Sequence, residues 1–262
     1  MVVRRFIPVF LFLVALVGVL IGVHLLSKSR TTQLFGDIVA RVETDKPIVA
    51  LTFDDGPSPR FTQDVLTILK DRNVTATLFL TGKEIEENLP LARLIMAAGH
   101  EIGNHSYSHS NMAWMGSTRV KDEIERTDVA IRAAGYQGEI LFRPPYGKKL
   151  VTLPWYLSQH GRKTIMWDVE PESFPEVADS ADAMTRYVLD NAKNGSIIIL
   201  HVMYRSREVA SGPAADHRRP ASMRLRIRHC VTAHPEPVVQ PRRFKTKSAR
   251  ALTLSFGSTT TS

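Results

Sequence analysis

Residues 48–60, "IVALTFDDGPSPR", decide the fold. Residues 48–53 form an apolar run suited to a buried strand. Two carboxylates, Asp54 and Asp55, follow at once, and Gly56-Pro57 turns the chain. A carboxylate taken out of water without a partner is costly, and two adjacent like charges are worse. Asp, Gly and Pro are also ordinary turn residues, so the pair alone leaves two readings open, a plain turn or a site.

Working outward, 61–72 ("FTQDVLTILKDR") places Val65, Leu66, Ile68 and Leu69 at helical spacing. A strand at 76–82, a helix closing at Gly99 and a short strand ending at His105 come next. Residues 117–135 carry Val120, Ile124 and Ile131 on one face and stop at Gly135. Then come a strand at 139–145, a helix at 153–161, a strand at 163–168, a helix at 180–195 and a strand at 196–201. Strands alternate with helices and are near-continuous apolar runs, which predicts an α/β fold with a parallel sheet or barrel covered by helices. Asp54-Asp55, His105, Arg143, Trp167-Asp168 and His201 each fall at the C-terminal end of a predicted strand. Parallel barrels gather their chemistry at that rim.

The chain has 262 residues and a formal net charge of +8. From Ala210 onward there are ten Lys/Arg against two Asp/Glu, which leaves 24 of each sign before it. The body is neutral, so no nucleic-acid partner is expected. The single cysteine, Cys230, excludes an internal disulfide and a cysteine metal cluster. Residues 6–26 hold no charge except through His24, a length that spans a bilayer. Arg4 and Arg5 precede the run, Lys28 and Arg30 follow it, and no convincing cleavage site is present. The expected organisation is an uncleaved single-pass anchor (1–30, transmembrane helix 6–26) and a linker (31–46). A catalytic domain (47–209) and a basic, disordered tail (210–262) complete it. Oligomeric state stays open.

"HSYSH" sets His105 and His109 four apart, which on a helical turn gives one face able to hold one metal. A carboxylate from a neighbouring strand end completes an open, zinc-type site with room for water. One of the adjacent aspartates can bind metal while the other remains a free base, since successive side chains at a strand end point in different directions.

"TFDDGP", "HSYSH", "RPPYG", "MWD" and "IIILH", in that order, resemble the five motifs of the polysaccharide deacetylase (NodB homology) family, carbohydrate esterase family 4. The resemblance covers residues 47–208. It implies a distorted (β/α) barrel and one divalent metal, zinc foremost, with cobalt, nickel or manganese as alternatives. Asp55, His105 and His109 would be the ligands and Asp54 the general base. Arg143 would hold Asp54. The Tyr146 N–H would stabilise the oxyanion. His201 would be the general acid and Asp168 its tuning partner. Trp167, Leu200 and Pro145 would line the substrate pocket. Two stretches depart from the family: "WDVEPES" has Trp167 before Asp168 and Glu170 and Glu172 after it, and "VMYRSRE" follows His201. The implied activity is removal of N-acetyl groups from an N-acetylglucosamine-containing glycan outside the cytoplasm, periplasmic or at the cell surface. The alternatives are an O-acetyl esterase and a non-catalytic remnant. Family members usually end on a helix and a strand of the form G-Y-x-F-V-T-V. Codons for 210–235 read one nucleotide on are compatible with such an ending, so the tail is expected to be a frame-shifted replacement of it.

Overall fold

The computed structural model describes residues 3–203 and 226–228, with side chains over 9–203. Helix α1 (Val3–Lys28) contains the whole expected apolar run. Its part Val9–Lys28 contains an unburied window with a mean hydropathy of 2.9, which makes it a candidate membrane span.

Strand β2 (Ile48–Asp54) is the hub. It pairs in parallel with β3 (Thr77–Leu80) from Thr52↔Thr77 to Asp54↔Phe79, and with β6 (Ile197–Leu200) from Ala50↔Ile197 to Phe53↔Leu200. β4 (Glu101–Asn104) lies beyond β3, giving the order β4-β3-β2-β6. Helices α2 (Thr62–Asp71), α3 (Gly82–Glu87), α4 (Leu89–Ala97) and α5 (Ser117–Ala133) follow these strands in the expected alternation. α6 (Thr152–Gln159), α7 (Pro175–Ala178) and α8 (Ala181–Asn191) continue it.

The pleat sorts the core into two layers. Leu78 and Leu80 face Val65, Leu69, Ile95 and Ile131 of the helices. Phe79, Ala50, Ile197 and Ile199 face the other way, with Met166 and Trp167.

Three expectations are corrected, and one, the distorted barrel, is met only in part. First, the strand expected at 139–145 shrinks to Phe142, which makes single bridges to Asn104 and Thr164. Pro144 and Pro145 carry no N–H for a ladder. The strand expected at 163–168 is β5 (Thr164–Ile165). Second, no closed ring of ladders forms among the described residues: the way from β4 to β5 and on to β6 is crossed by single bridges at Phe142 and Val169. Third, 31–46 is not a linker. It holds β1 (Ile38–Val39), which pairs in parallel with β5, and Val42, whose N–H donates to the Gly195 carbonyl. Fourth, β7 (Arg226–Arg228) pairs in parallel with Ile48, Val49 and Ala50, so the tail expected to be disordered is strand there. Ala50 also pairs with Ile197, so β7 stands on the flank of β2 opposite β6. The rest of the tail lies outside the described residues.

Gly195, at φ +78°, starts the approach to β6; a Cβ there would meet the Val42 carbonyl oxygen at 1.7 Å. Gly195→Ala is therefore expected to cost about 2 kcal/mol or more, the sum of a left-handed backbone and a backbone overlap. Denaturant unfolding of the full chain in detergent measures it, and an unchanged midpoint contradicts this packing.

Candidate active site

Alternation along β2 puts Thr52 and Asp54 on one face. Arg143, fully buried, meets both: its NH1 donates to Asp54 Oδ1 at 2.6 Å and to Thr52 Oγ1 at 2.8 Å. A second guanidinium nitrogen, NH2, donates to the Met166 carbonyl at 3.1 Å, and the plane lies 4.1 Å over the Phe79 ring. Burial raises the Asp54 carboxyl, but Arg143, His105 and His201 outweigh it and hold the group below its ordinary pKa.

Asp55 leaves the strand with φ 73° and turns its carboxylate elsewhere. Its Oδ1 stands 3.3 Å from His109 Nε2 and 3.9 Å from His105 Nε2. Burial pushes this carboxyl up; His105 opposes the shift and Asp54 adds to it. The turn is braced from α3, where Glu84 accepts from the Gly56 N–H at 2.8 Å.

The helical turn expected for His105 and His109 is absent. Ser106 and His109 take left-handed backbones, φ 64° and 53°, and the rings still come within 5.0 Å. The loop is pinned by Glu123 of α5, which accepts from the N–H groups of Tyr107 and Ser108 at 2.9 and 2.8 Å. His105 Nδ1 lies 2.8 Å from the Arg143 carbonyl, the place of a donated N–H, which leaves Nε2 bare toward the carboxylates. Burial lowers the pKa of both rings and favours the neutral, ligating form.

The ligand atoms of Asp55, His105 and His109 all lie within 4.8 Å of one another. Donors about 2.0–2.2 Å from one zinc are separated by roughly 3.3 Å in a tetrahedral shell, so the trio fits a divalent ion.

These groups line a cavity of about 570 Å³ together with Asp54, Tyr146, Trp167 and His201. Tyr146 has φ 58° and its ring lies 4.7 Å from that of His109. The Trp167 indole N–H is buried and finds no acceptor among the described residues. Leu200 and Pro145 do not line this cavity: Leu200 packs on the Phe53 and Met203 cluster, and Pro145 is buried in the 3-10 turn Pro145–Gly147.

Asp168 is not the partner of His201. Its carboxylate accepts from Ser196 Oγ and the Ile197 N–H, both at 2.8 Å, and ties the chain after β5 to the start of β6. Glu172 takes the expected place, 2.5 Å from His201 Nδ1, and also accepts from the His201 N–H. Burial opposes charging of this imidazole, yet the Glu172 bond and the fields of Asp54 and Asp55 lift its pKa to about 9. The acidic pair after Asp168 was the available signal; spacing alone did not say which carboxylate turns back. Lys28 and Arg30, two residues assigned to the anchor, also line the cavity.

The sequence model of the polysaccharide deacetylase family matches residues 41–165. A peptidoglycan-N-acetylglucosamine deacetylase of Bacillus cereus is 39% identical over 158 residues, 60% of this chain. The match spans only 56% of that relative's length. A chitooligosaccharide deacetylase of Sinorhizobium fredii is 34% identical over 164 residues, 62% of this chain and 75% of the relative. The crystal structure of the Bc1960 peptidoglycan N-acetylglucosamine deacetylase is also similar, with a TM-score of 0.59 and 36% identity over 66% of this chain and 79% of that one. The chain belongs to the polysaccharide deacetylase family.

Proposed function

We propose that the chain is a metal-dependent N-deacetylase of N-acetylglucosamine-containing glycan, anchored by α1 with its catalytic domain outside the cytoplasm. The observation that carries it is the division of the adjacent aspartates. Asp54 is locked to a buried arginine, with its free oxygen 3.5 Å from His105 Nε2, while Asp55 faces both His109 and His105 and makes no bond to the arginine. Two relatives of known name act on such glycans, one on peptidoglycan and one on chitooligosaccharide.

Asp55, His105 and His109 would hold a divalent ion, zinc suiting two imidazoles and a carboxylate best. Bound there, it would supply Lewis acidity to the acetyl carbonyl and to the attacking water. Asp54 takes the proton of the attacking water, and Arg143 fixes its position and keeps it anionic. The Tyr146 N–H donates to the carbonyl oxygen as charge develops there. His201, charged through Glu172, gives its proton to the departing amine. Trp167 closes the pocket against the acetyl group. The products are acetate and a free amino sugar.

Asp54→Asn is expected to keep its metal and lose about 10²–10⁴-fold in turnover, the usual contribution of a general base. Asp55→Ala is expected to lose the metal itself. Metal content and acetate release, measured on both variants, check the division; equal metal and equal activity contradict it.

His201 must be protonated to act as the acid, so activity should fall as pH rises through about 9. Glu172→Gln removes the charge that raises this pKa, so the alkaline limb should move to lower pH. Asp168→Asn, which does not touch His201, should leave the limb in place. A pH–rate profile in which Asp168→Asn moves the limb and Glu172→Gln does not would reverse the assignment.

A further inference from the structure

Helix α1 does not hand over to the domain through a flexible tether. Ser27 is buried, and its carbonyl accepts the Lys149 N–H at 3.0 Å. The Lys149 ammonium is buried and bonds the Ser29 carbonyl, at the negative end of the helix. The next residue, Arg30, pairs with Glu170 and lies 4.8 Å over the Trp167 ring. Removing 27–30 would leave Lys149 buried without its acceptor, so this segment belongs to the fold.

The same segment forms part of the pocket. Lys28 and Arg30 line the cavity that holds Asp54, Asp55, His105 and His201. The apolar run 6–26, at about 1.5 Å per residue, is about 30 Å long, the thickness of a bilayer's hydrocarbon core. Lys28 stands two residues beyond it, about 3 Å farther along the axis. The headgroup layer on each side is roughly 5–7 Å deep. One wall of the pocket therefore lies at headgroup level.

The surface around the helix end is suited to that place. Leu34, Phe35, Val151 and Trp155 are 48, 36, 47 and 51% exposed. The Phe35 and Trp155 rings meet edge-on at 5.2 Å, and Val151 lies two residues after Lys149, the residue bound to the helix end. Exposed aromatic and aliphatic side chains that follow a span closely in sequence, or flank a residue bonded to its end, suit the membrane interface.

We infer that the domain is seated on the lipid surface through this rim, and that its pocket works in the headgroup layer on an N-acetylated saccharide joined to a membrane lipid. Lys28 then faces the anionic link, such as a phosphate, between sugar and lipid. This inference rests on the deacetylase reading and on α1 as the span.

The test uses the full chain, zinc-loaded, in phospholipid vesicles. Three substrates carry the same N-acetylglucosamine oligomer: free, joined directly to a lipid through phosphate, and joined to that lipid through a long polyethylene glycol spacer. Both lipid-linked forms share the local concentration of the membrane, so their ratio reports position. The direct form is expected to be hydrolysed about tenfold faster or more than the spaced one. Three EAAAK units inserted between Leu26 and Ser27 lift the domain roughly 22 Å when helical and should abolish or invert that preference. They should leave the free oligomer's rate unchanged. A second readout is independent of turnover. On a Cys230→Ser background, fluorophores at Leu34→Cys and Val151→Cys should be quenched by lipids brominated near the headgroup, while one at Val129→Cys should not. Acetate from none of the three substrates overturns the deacetylase reading, and this inference with it. Equal rates on the two lipid-linked forms, or labels at Leu34 and Val151 as unquenched as that at Val129, overturn the membrane seat and leave the deacetylase reading standing.

Discussion

The buried pair of Arg143 and Asp54 is the contact on which the rest of the site depends. Both side chains are out of water, at 0 and 2% exposure. Breaking such a pair by deleting one partner typically costs about 3–5 kcal/mol, because the other charge is stranded. The guanidinium also bonds Thr52 and the Met166 carbonyl and covers Phe79, so one side chain joins β2, β3 and the chain after β5. Its own carbonyl faces His105 Nδ1. Arg143 thereby sets the ionisation of Asp54 and the orientation of the His105 ring together.

That arrangement explains how a strand can end in two aspartates. The first is neutralised by the arginine, and the second escapes the strand direction through a left-handed turn and meets the histidines. The supports come from the helices behind: Glu84 on α3 holds the turn, and Glu123 on α5 holds the histidine loop. Each accepts backbone N–H groups that the irregular segments would otherwise leave unpaired.

The hub strand, the alternation of elements and the gathering of Asp54, Asp55, His105, His109, Arg143, Trp167 and His201 were legible in the sequence. Short buried strands and strand-end polar residues follow from local pattern. What local pattern missed depended on distant partners. Glu172 and Asp168 are equally acidic, and only the path of the chain after β5 decides which reaches His201. His105 and His109 have helical spacing but sit in a loop imposed by Glu123, which lies 14 residues beyond His109. Residues 31–46 look like a linker because β1 is two residues long and takes its stability from β5. The role of Lys28 and Arg30 beside the pocket follows from Lys149 and Glu170, more than a hundred residues away.

The central claim is that one aspartate of the pair binds metal and the other does not. X-ray absorption at the metal edge of the zinc-loaded chain, beside that of Asp54→Asn, tests it most directly. The account requires two imidazole nitrogens with oxygen donors in the native spectrum, and the same shell in the variant. A single imidazole, or an oxygen lost from the shell when Asp54 is replaced, would contradict it.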